Sequence, residues 1–449
     1  MKFLFAILLI PALTLSNTAF SQIAFQSSDA LNNKAEELRE TDMEKSLDFS
    51  QRALKASEQK KDTFEMARSL LNVGLAMYYT SRFDGAEAPL KKSYQLYSSM
   101  KNQQGISAAA TNLGSVLLQS SRTTEAEKYF QISYNIDRSL KDTAGMAVGL
   151  NNLARVYHLR GEYQKALKYF EQSGVFEKLT GNENGLAESW INSGIVYSDM
   201  KQFERGNTYF MKALNYFEKS DNPRSYASAL MSLGDNERLN SRFGQARQHI
   251  SKAIDVCKKN SFTNELIQAY VHYSKLLLDQ NQIDSADYYL FQAMNMCVET
   301  GNDLEACDAM KQRGVLLAKQ HQYEESTQYL LNAFEFASNM QHSSVLQEIA
   351  LQLSDNYAAM NQFSDALKYQ KIATEIASGN YFSKPESDVR TQSKPAVEAV
   401  KEPINSTSFL VGVAAGIFLI LVLTIILLVV RIQQLKKQIA SDPAAREER

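Results

Sequence analysis

Gly74, Gly114, Ala154, Gly194, Gly234, Ser274, Gly314 and Ser354 stand forty positions apart, and all eight are small. Three more columns keep the same step. One runs Ala86, Ala126, Ala166, Gly206, Ala246, Ala286, Ser326 and Ala366. The next runs Ser93, Ser133, Ser173, Ala213, Ala253, Ala293, Ala333 and Ala373. The last is mostly aromatic: Phe83, Thr123, Tyr163, Phe203, Phe243, Ile283, Tyr323 and Phe363. A period held through eight units without an insertion restricts the fold more than composition does, because every unit must make the same contacts with its neighbours.

Inside a unit, apolar residues recur at three- and four-residue steps on both sides of a short polar break. Leu150, Leu153, Val156 and Tyr157 mark one helix; Tyr163, Ala166, Leu167, Phe170 and Val175 mark the next; LRGE lies between. The small columns are predicted where two helices cross, since bulk there would force the backbones apart. The aromatic column fills the space beside them. One hairpin leaves a face uncovered, so neighbours must stack to bury it. Polar turns separate the units: KDTAG at 141–145, GNENG at 181–185, SDNPRS at 220–225 and TGND at 300–303. Only 7 prolines in 449 residues leave room for long helices, and Pro223 falls in a turn. The expected organisation is all-α, with eight repeats over 67–378. A degenerate capping repeat at 27–66 precedes them; it keeps Ser46 and Ala53 and lacks the glycine.

NLARVYHLRGEYQKALKYFEQS and WINSGIVYSDMKQFERGNTYFMKA resemble the tetratricopeptide repeat family, and the resemblance extends over roughly residues 27 to 378. The family's usual period is about 34 residues. The longer period here predicts longer helices or a longer inter-unit turn. Similar forty-residue variants occur in spindle-orientation adaptors, kinesin light chains and Rap-type bacterial regulators. The resemblance implies a right-handed α-solenoid of antiparallel helix pairs, with first helices lining a concave groove that binds a peptide or protein segment.

One column is polar where a helix would not choose it: Asn72, Asn112, Asn152 and Asn192, continuing as Ser232, His272, Gln312 and Gln352. Asn is a poor helix former. The column sits ~100° round the helix from its core-facing neighbour. The resemblance places it on the groove wall. There an amide, with one acceptor and two donors, can pair with the N–H and C=O of an extended backbone. The competing reading is polarity that is merely solvated, or copied by duplication. Because the asparagines occupy only the first four full units, a ligand is expected in the N-terminal half of the groove. Arg155 and His158, at i and i+3 beside Asn152 and Asn192, would receive an acidic group or else be solvated surface residues. Arg68, Tyr78 and Lys275 are further groove candidates.

No catalytic constellation appears. The five histidines, at 158, 249, 272, 321 and 342, form no i, i+4 pair, and there is no HExxH, no Gly-rich phosphate loop and no GxSxG. Cys257, Cys297 and Cys307 have no zinc spacing. Trp190 takes a core position. The expectation is a non-enzymatic protein with no metal and no cofactor. A net charge of −2 gives no reason to expect nucleic acid as a partner.

The termini set an expected compartment. Residues 1–21 read as a signal peptide: Lys2, an apolar run, then Ala19 and Ser21 at the positions before cleavage. Retention as an uncleaved anchor is the alternative. Residues 379–408 hold Pro385, Pro395 and Pro403 among charged and hydroxyl residues, the composition of a disordered linker. Residues 409–430 are apolar and uncharged, and 22 helical residues span about 33 Å, enough for a hydrocarbon core of about 30 Å. Arg431, Lys436 and Lys437 place the tail, 431–449, in the cytoplasm. These features predict a single-pass protein of the bacterial inner membrane with its repeats in the periplasm, contacting lipid through the span. The arrangement resembles the sensor regions of Bacteroidetes-type tetratricopeptide signalling proteins without their output domain. Two roles are therefore open: a scaffold that captures a peptide, or a sensory input signalling to a separate cytoplasmic kinase or regulator.

Overall fold

The structure is a computed structural model that describes residues 27–39, 41–80, 82–300, 303–340, 342–378 and 381. The predicted leader, span and tail lie outside these residues, as does the linker apart from Tyr381. Among the described residues no helix is long and apolar enough to cross a membrane.

The described chain is 18 α-helices and no strand. Two short-cap helices come first, α1 (Ser28–Leu38) and α2 (Met43–Lys60). Eight hairpins follow. They are α3 (Thr63–Tyr79) with α4 (Phe83–Ser99), α5 (Gln103–Gln119) with α6 (Thr123–Leu140), α7 (Thr143–Leu159) with α8 (Tyr163–Thr180), and α9 (Glu183–Asp199) with α10 (Phe203–Lys219). Then come α11 (Pro223–Leu239) with α12 (Phe243–Lys259), α13 (Thr263–Asp279) with α14 (Ile283–Thr300), α15 (Asp303–Lys319) with α16 (Tyr323–Asn339), and α17 (Ser343–Ala359) with α18 (Phe363–Ala377).

The forty-residue period is two half-periods of twenty. First helices are 17 residues long and a three-residue turn closes each one. Every positive-φ residue among the described ones falls on this half-register, beginning Lys61, Lys101, Ser121, Lys141, Gly161 and Gly181. A residue in the left-handed region just past a helix end lets the last carbonyls find donors: Asp142 N–H bonds the Asp137 carbonyl at 2.8 Å, and Glu162 N–H bonds that of Tyr157 at 2.8 Å. With turns this short, the extra residues relative to the family's period lie in the helices.

Asp62, Asn102, Asp142, Asn182 and Asn222 cap the first helices of the first five units, each side-chain oxygen accepting the N–H three residues on at 2.8–3.1 Å. These caps are the polar residues of the inter-unit turns, and each contributes about 1 kcal/mol. Phe262 and His342 occupy the cap position of later units and make no side-chain cap bond.

The small column marks the helix crossing within each hairpin. A Cβ added at Gly114 would lie 2.7 Å from the Phe130 ring, and one at Gly194 would lie 2.7 Å from the ring of Phe210. Phe130, Phe170 and Phe210 are fully buried against this column. First helices also touch one another along the stack, α3 with α5, α11 with α13 and α13 with α15, whereas contact between second helices is lighter, as between the Tyr94 ring of α4 and the Tyr129 ring of α6 at 5.5 Å. The first helices are therefore the inner layer and the second helices the outer one.

The aromatic column behaves differently at its ends. Phe363, in the last described unit, is 66% exposed, with no further hairpin stacked on it among the described residues, whereas Phe83 is 4% exposed. Phe83 shares a buried cluster with Met340 and Leu346, and its ring lies 6.4 Å from that of His342. The turn entering the eighth unit thus comes back against the first.

Candidate functional site

The inner layer is lined with charge, and most of it is matched between consecutive first helices. Arg68 of α3 meets Glu36 at 2.8 Å and Asp29 at 2.9 Å, both on α1. His158 of α7 bonds Asp199 of α9 at 2.6 Å. Arg238 of α11 takes Asp235 at 2.8 Å and Asp279 of α13. Lys275 lies 3.5 Å from Asp308, and Lys311 joins Asp308 at 3.1 Å and Glu348 at 2.7 Å. Burial pushes the Asp308 carboxyl up, but Lys275 and Lys311 outweigh it, and the group stays well below the usual carboxylate range. At Asp235 burial is likewise overcome, by His272 and Arg238. These rungs tie unit to unit from α11 to α17. Lys275, a groove candidate by sequence, is held in one, and so is Arg68; Tyr78 packs edge-on against Phe83.

The four asparagines share the inner layer and have four different surroundings. Asn72 is 3% exposed. Its oxygen accepts from Arg39 at 2.8 Å, and its amide nitrogen donates to Asn32 at 3.2 Å and Glu36 at 3.3 Å. Asn32 stands forty residues earlier, so this is one true rung of a side-chain amide ladder, and it fastens α1 to α3. Asn112 donates back to the Ala108 carbonyl of its own helix at 2.8 Å. Asn152 accepts from Arg155 at 3.4 Å. Asn192 makes no side-chain hydrogen bond among the described residues. The column therefore does not form a continuous row of free amides: the first is consumed by the capping helix, and the second is turned onto its own backbone.

Three of the sequence-predicted residues do converge. Arg155, His158 and Asn192 line one cavity of about 190 Å³. Gln119 and Ser121 from the end of α5 and Ser344 from α17 add polar groups, while Leu118, Leu159, Phe170 and Ile195 supply apolar wall. Ser344 belongs to the eighth unit and the rest to the second, third and fourth. A residue so far along the array reaches them only from across the hollow, so the cavity opens on the inner side. Asn72 and Asn112 do not reach it; Asn152 touches it through Arg155. A second cavity of about 230 Å³ lies between α13, α15 and the turn before α17, lined by His272, Asp308 and His342 among others. Its Asp308 is held in the rungs above, its Glu305 accepts from Gln268 at 2.8 Å, and its His272 lies 3.6 Å from Asp235. No cluster of three or more His, Cys, Asp or Glu residues suited to a metal occurs among the described residues.

Two features escaped sequence reasoning. One is Ser344, which only the returning chain brings to the site. The other is the carboxylate partners, and these have a legible signal: Arg224, Arg238 and His158 each find an acid 41 residues on, and Lys311 one 37 residues on. A scan of cations against acids at those two offsets finds these four rungs, while Lys275 meets Asp308 33 residues on and Arg68 meets acids that precede it.

A tetratricopeptide repeat model matches residues 105–173, and a second matches residues 187–219. No curated protein matches the chain in sequence. Among solved structures, a Rap protein complexed with Competence and Sporulation Factor is similar at a TM-score of 0.52 and 12% identity, covering 80% of this chain and 99% of that one. The Rap conjugation gene regulator of plasmid pLS20, solved with a Phr peptide, gives 0.49 at 13% identity, covering 70% and 95%. Aspartyl phosphate phosphatase F from Bacillus subtilis gives 0.48 at 16% identity, covering 79% and 96%. Identities this low speak to fold alone. The chain carries tetratricopeptide repeats, and they form an all-helical array with the fold of the Rap protein.

Proposed function

We propose that the array is a non-enzymatic scaffold that captures an extended peptide or protein segment in its hollow. The observation that carries this reading is the cavity shared by Arg155, His158 and Asn192, where His158 is bonded to Asp199 but Arg155 has no acid partner and Asn192 no side-chain hydrogen bond among the described residues, while the inner-layer charges of later units are bonded to each other. About 190 Å³ corresponds to roughly six waters at ~30 Å³ each. That space takes one side chain or a chain end, not the surface of a folded domain. The Rap protein of similar fold was crystallised with Competence and Sporulation Factor; for this chain the argument rests on the cavity.

The array is, on the same proposal, held outside the cytoplasm by the apolar stretch 409–430, oriented by Arg431, Lys436 and Lys437. The support is sequence physics: 22 uncharged residues are long enough to span. Resistance of the full chain to alkaline extraction from membranes, with the repeats degraded by protease added from outside, is the expected behaviour. A freely soluble full chain contradicts the anchor. For capture, Asn112, Asn152 and Asn192 are changed together to Ala. The expected result is loss of peptide binding with the helical circular dichroism retained. Undiminished binding by that variant removes the asparagines from the reading, and absence of binding by the wild-type chain removes the reading itself.

A further inference from the structure

We propose that the turn entering the eighth unit and the first hairpin form a clasp that closes the array round its hollow, and that protonation of His342 opens it. A clasp of this kind is independent of whether the hollow captures a peptide.

The clasp joins residues that packing between consecutive units does not bring together. Phe83 opens α4, and its neighbours on that helix, Ala86 and Leu90, belong to the core of the early units. Phe83 itself belongs to the core of the later ones, with Met340 and Leu346 on either side of the turn into α17. Tyr78 packs edge-on against Phe83, their ring centroids 5.4 Å apart, and reaches both cores. Ser344 of α17 in turn lines one cavity with Leu118, Gln119 and Ser121 at the end of α5. The tips of two successive early hairpins thus meet a single late turn.

This join is thinner than those between consecutive units, which pack whole helices together. It buries one phenylalanine ring among a few apolar side chains, and such a contact is lost when a charge must be buried in it. His342 can supply that charge. It is the residue just before α17, and its ring stands at 70° to that of Phe83 with centroids 6.4 Å apart. Its Nδ1 shares a hydrogen bond of 3.4 Å with the Ser344 hydroxyl.

Burial is the largest influence on His342 and holds its imidazole below the ordinary 6.5; a hydrogen bond to its own backbone works the other way, Lys311 adds to the lowering, and Glu348 and Asp308 oppose it. The charged and polar groups on the elements packed round it are otherwise engaged. Asp308 of α15 meets Lys311 at 3.1 Å, and Glu348 of α17 takes the same lysine at 2.7 Å. Glu305 of α15 and His272 of α13 line the cavity that His342 shares; the first accepts from Gln268 at 2.8 Å and the second lies 3.6 Å from Asp235. On the first hairpin the Tyr78 hydroxyl accepts from Gln119 at 3.4 Å, and Arg82 pairs with Glu44 of α2 at 2.6 Å. An imidazolium formed here finds no free acid among the described residues, so the closed form takes up a proton less readily than the open one. Closure is complete above pH 6.5 and is lost as pH falls below it, the ratio of closed to open dropping by up to about tenfold per pH unit.

The test places two spin labels on the full chain in detergent, through Lys92→Cys on α4 and Ser364→Cys on α18, both exposed positions; the native cysteines are buried. A control pair, Lys92→Cys with Lys128→Cys, spans two consecutive units. Pulsed dipolar distances across the clasp are expected to show one population at about pH 8 and a second, longer one that grows from about pH 6.5 to about pH 5. The control distance and the helical circular dichroism are expected to hold. His342→Gln is expected to stay closed over that range, and His342→Arg and Phe83→Ser to be open already at the alkaline end. A wild-type distance that does not change with pH, a transition that survives in His342→Gln, or loss of helix over the same range overturns the switch at His342. A Phe83→Ser chain as closed as the wild type overturns the clasp itself.

Discussion

From α11 to α17 the inner helices answer one another charge for charge: Arg238 with Asp235 and Asp279, Lys275 with Asp308, Lys311 with Asp308 and Glu348. From α7 to α9 the same wall has one rung, His158 with Asp199, and beside it leaves Arg155 without an acid and Asn192 without a side-chain hydrogen bond among the described residues, around a cavity. Both stretches have the same helical hairpins, the same twenty-residue register and the same small-residue crossing. The difference shows that a repeat array fixes where a side chain points but not what it is for. A rung that bonds its neighbour stiffens the stack and is closed to a ligand, while a position left unbonded weakens the stack slightly and can recognise one.

The largest effects should be blind to this division, because the core is common to both halves. Phe130→Ala in the N-terminal half is expected to cost about 3–5 kcal/mol and Leu290→Ala in the C-terminal half about 2–5 kcal/mol, read from urea midpoints. A half that tolerates its substitution without loss would break the idea of one shared packing scheme. Next comes Asn72→Ala. It removes the partner of Arg39, Asn32 and Glu36 in a buried setting, and about 1–3 kcal/mol is expected, seen as early loss of α1 and α2 in hydrogen exchange. An unperturbed N-terminal cap would show that the amide rung holds nothing.

The carboxylate rungs should sharpen the comparison through pH. Asp308 has its folded carboxyl below the ordinary 3.8, so its stabilisation is fully present above that value and is lost as pH falls through the folded one. Its side chain is 37% exposed, so solvent screening keeps the contribution to about 1 kcal/mol at most. Asp308→Asn is expected to lower stability at pH 7 and to narrow the gap from the wild type as pH falls below about 4. A gap that widens in acid contradicts the assignment. The smallest effect belongs to Asn112→Ala. Its amide bonds only its own helix, and Ala is the better helix former, so stability should hold or rise by a few tenths of a kcal/mol.

The array itself was legible in the sequence because a period of forty acts on every unit at once. The column of Gly114 and Gly194 marks the helix crossing, and the Phe130 and Phe210 rings that meet them there stand sixteen residues on, outside the four columns. The site was legible in part. The asparagine column falls on the first helices, but its members diverge for local reasons that periodicity cannot carry. Asn72 meets a capping helix that the other three lack, and Asn112 finds Ala108 a helical turn before it. Ser344 was out of reach because it arrives from the eighth unit through the return of the array. The contact of Phe83 with His342 escaped for the same cause: the column places the ring beside the helix crossing, and only the return of the array brings His342 to it.

The most direct test of the central claim places a photo-crosslinking amino acid at Gln119, on the Arg155 cavity, or at Gln268, on the cavity whose Asp308 and Glu305 are already partnered. Each full-length protein is then irradiated with the same peptide library. Adducts from position 119 and few or none from 268 are the result expected here. Adducts mainly from 268 would contradict it, by placing the ligand where the inner wall is already bonded to itself.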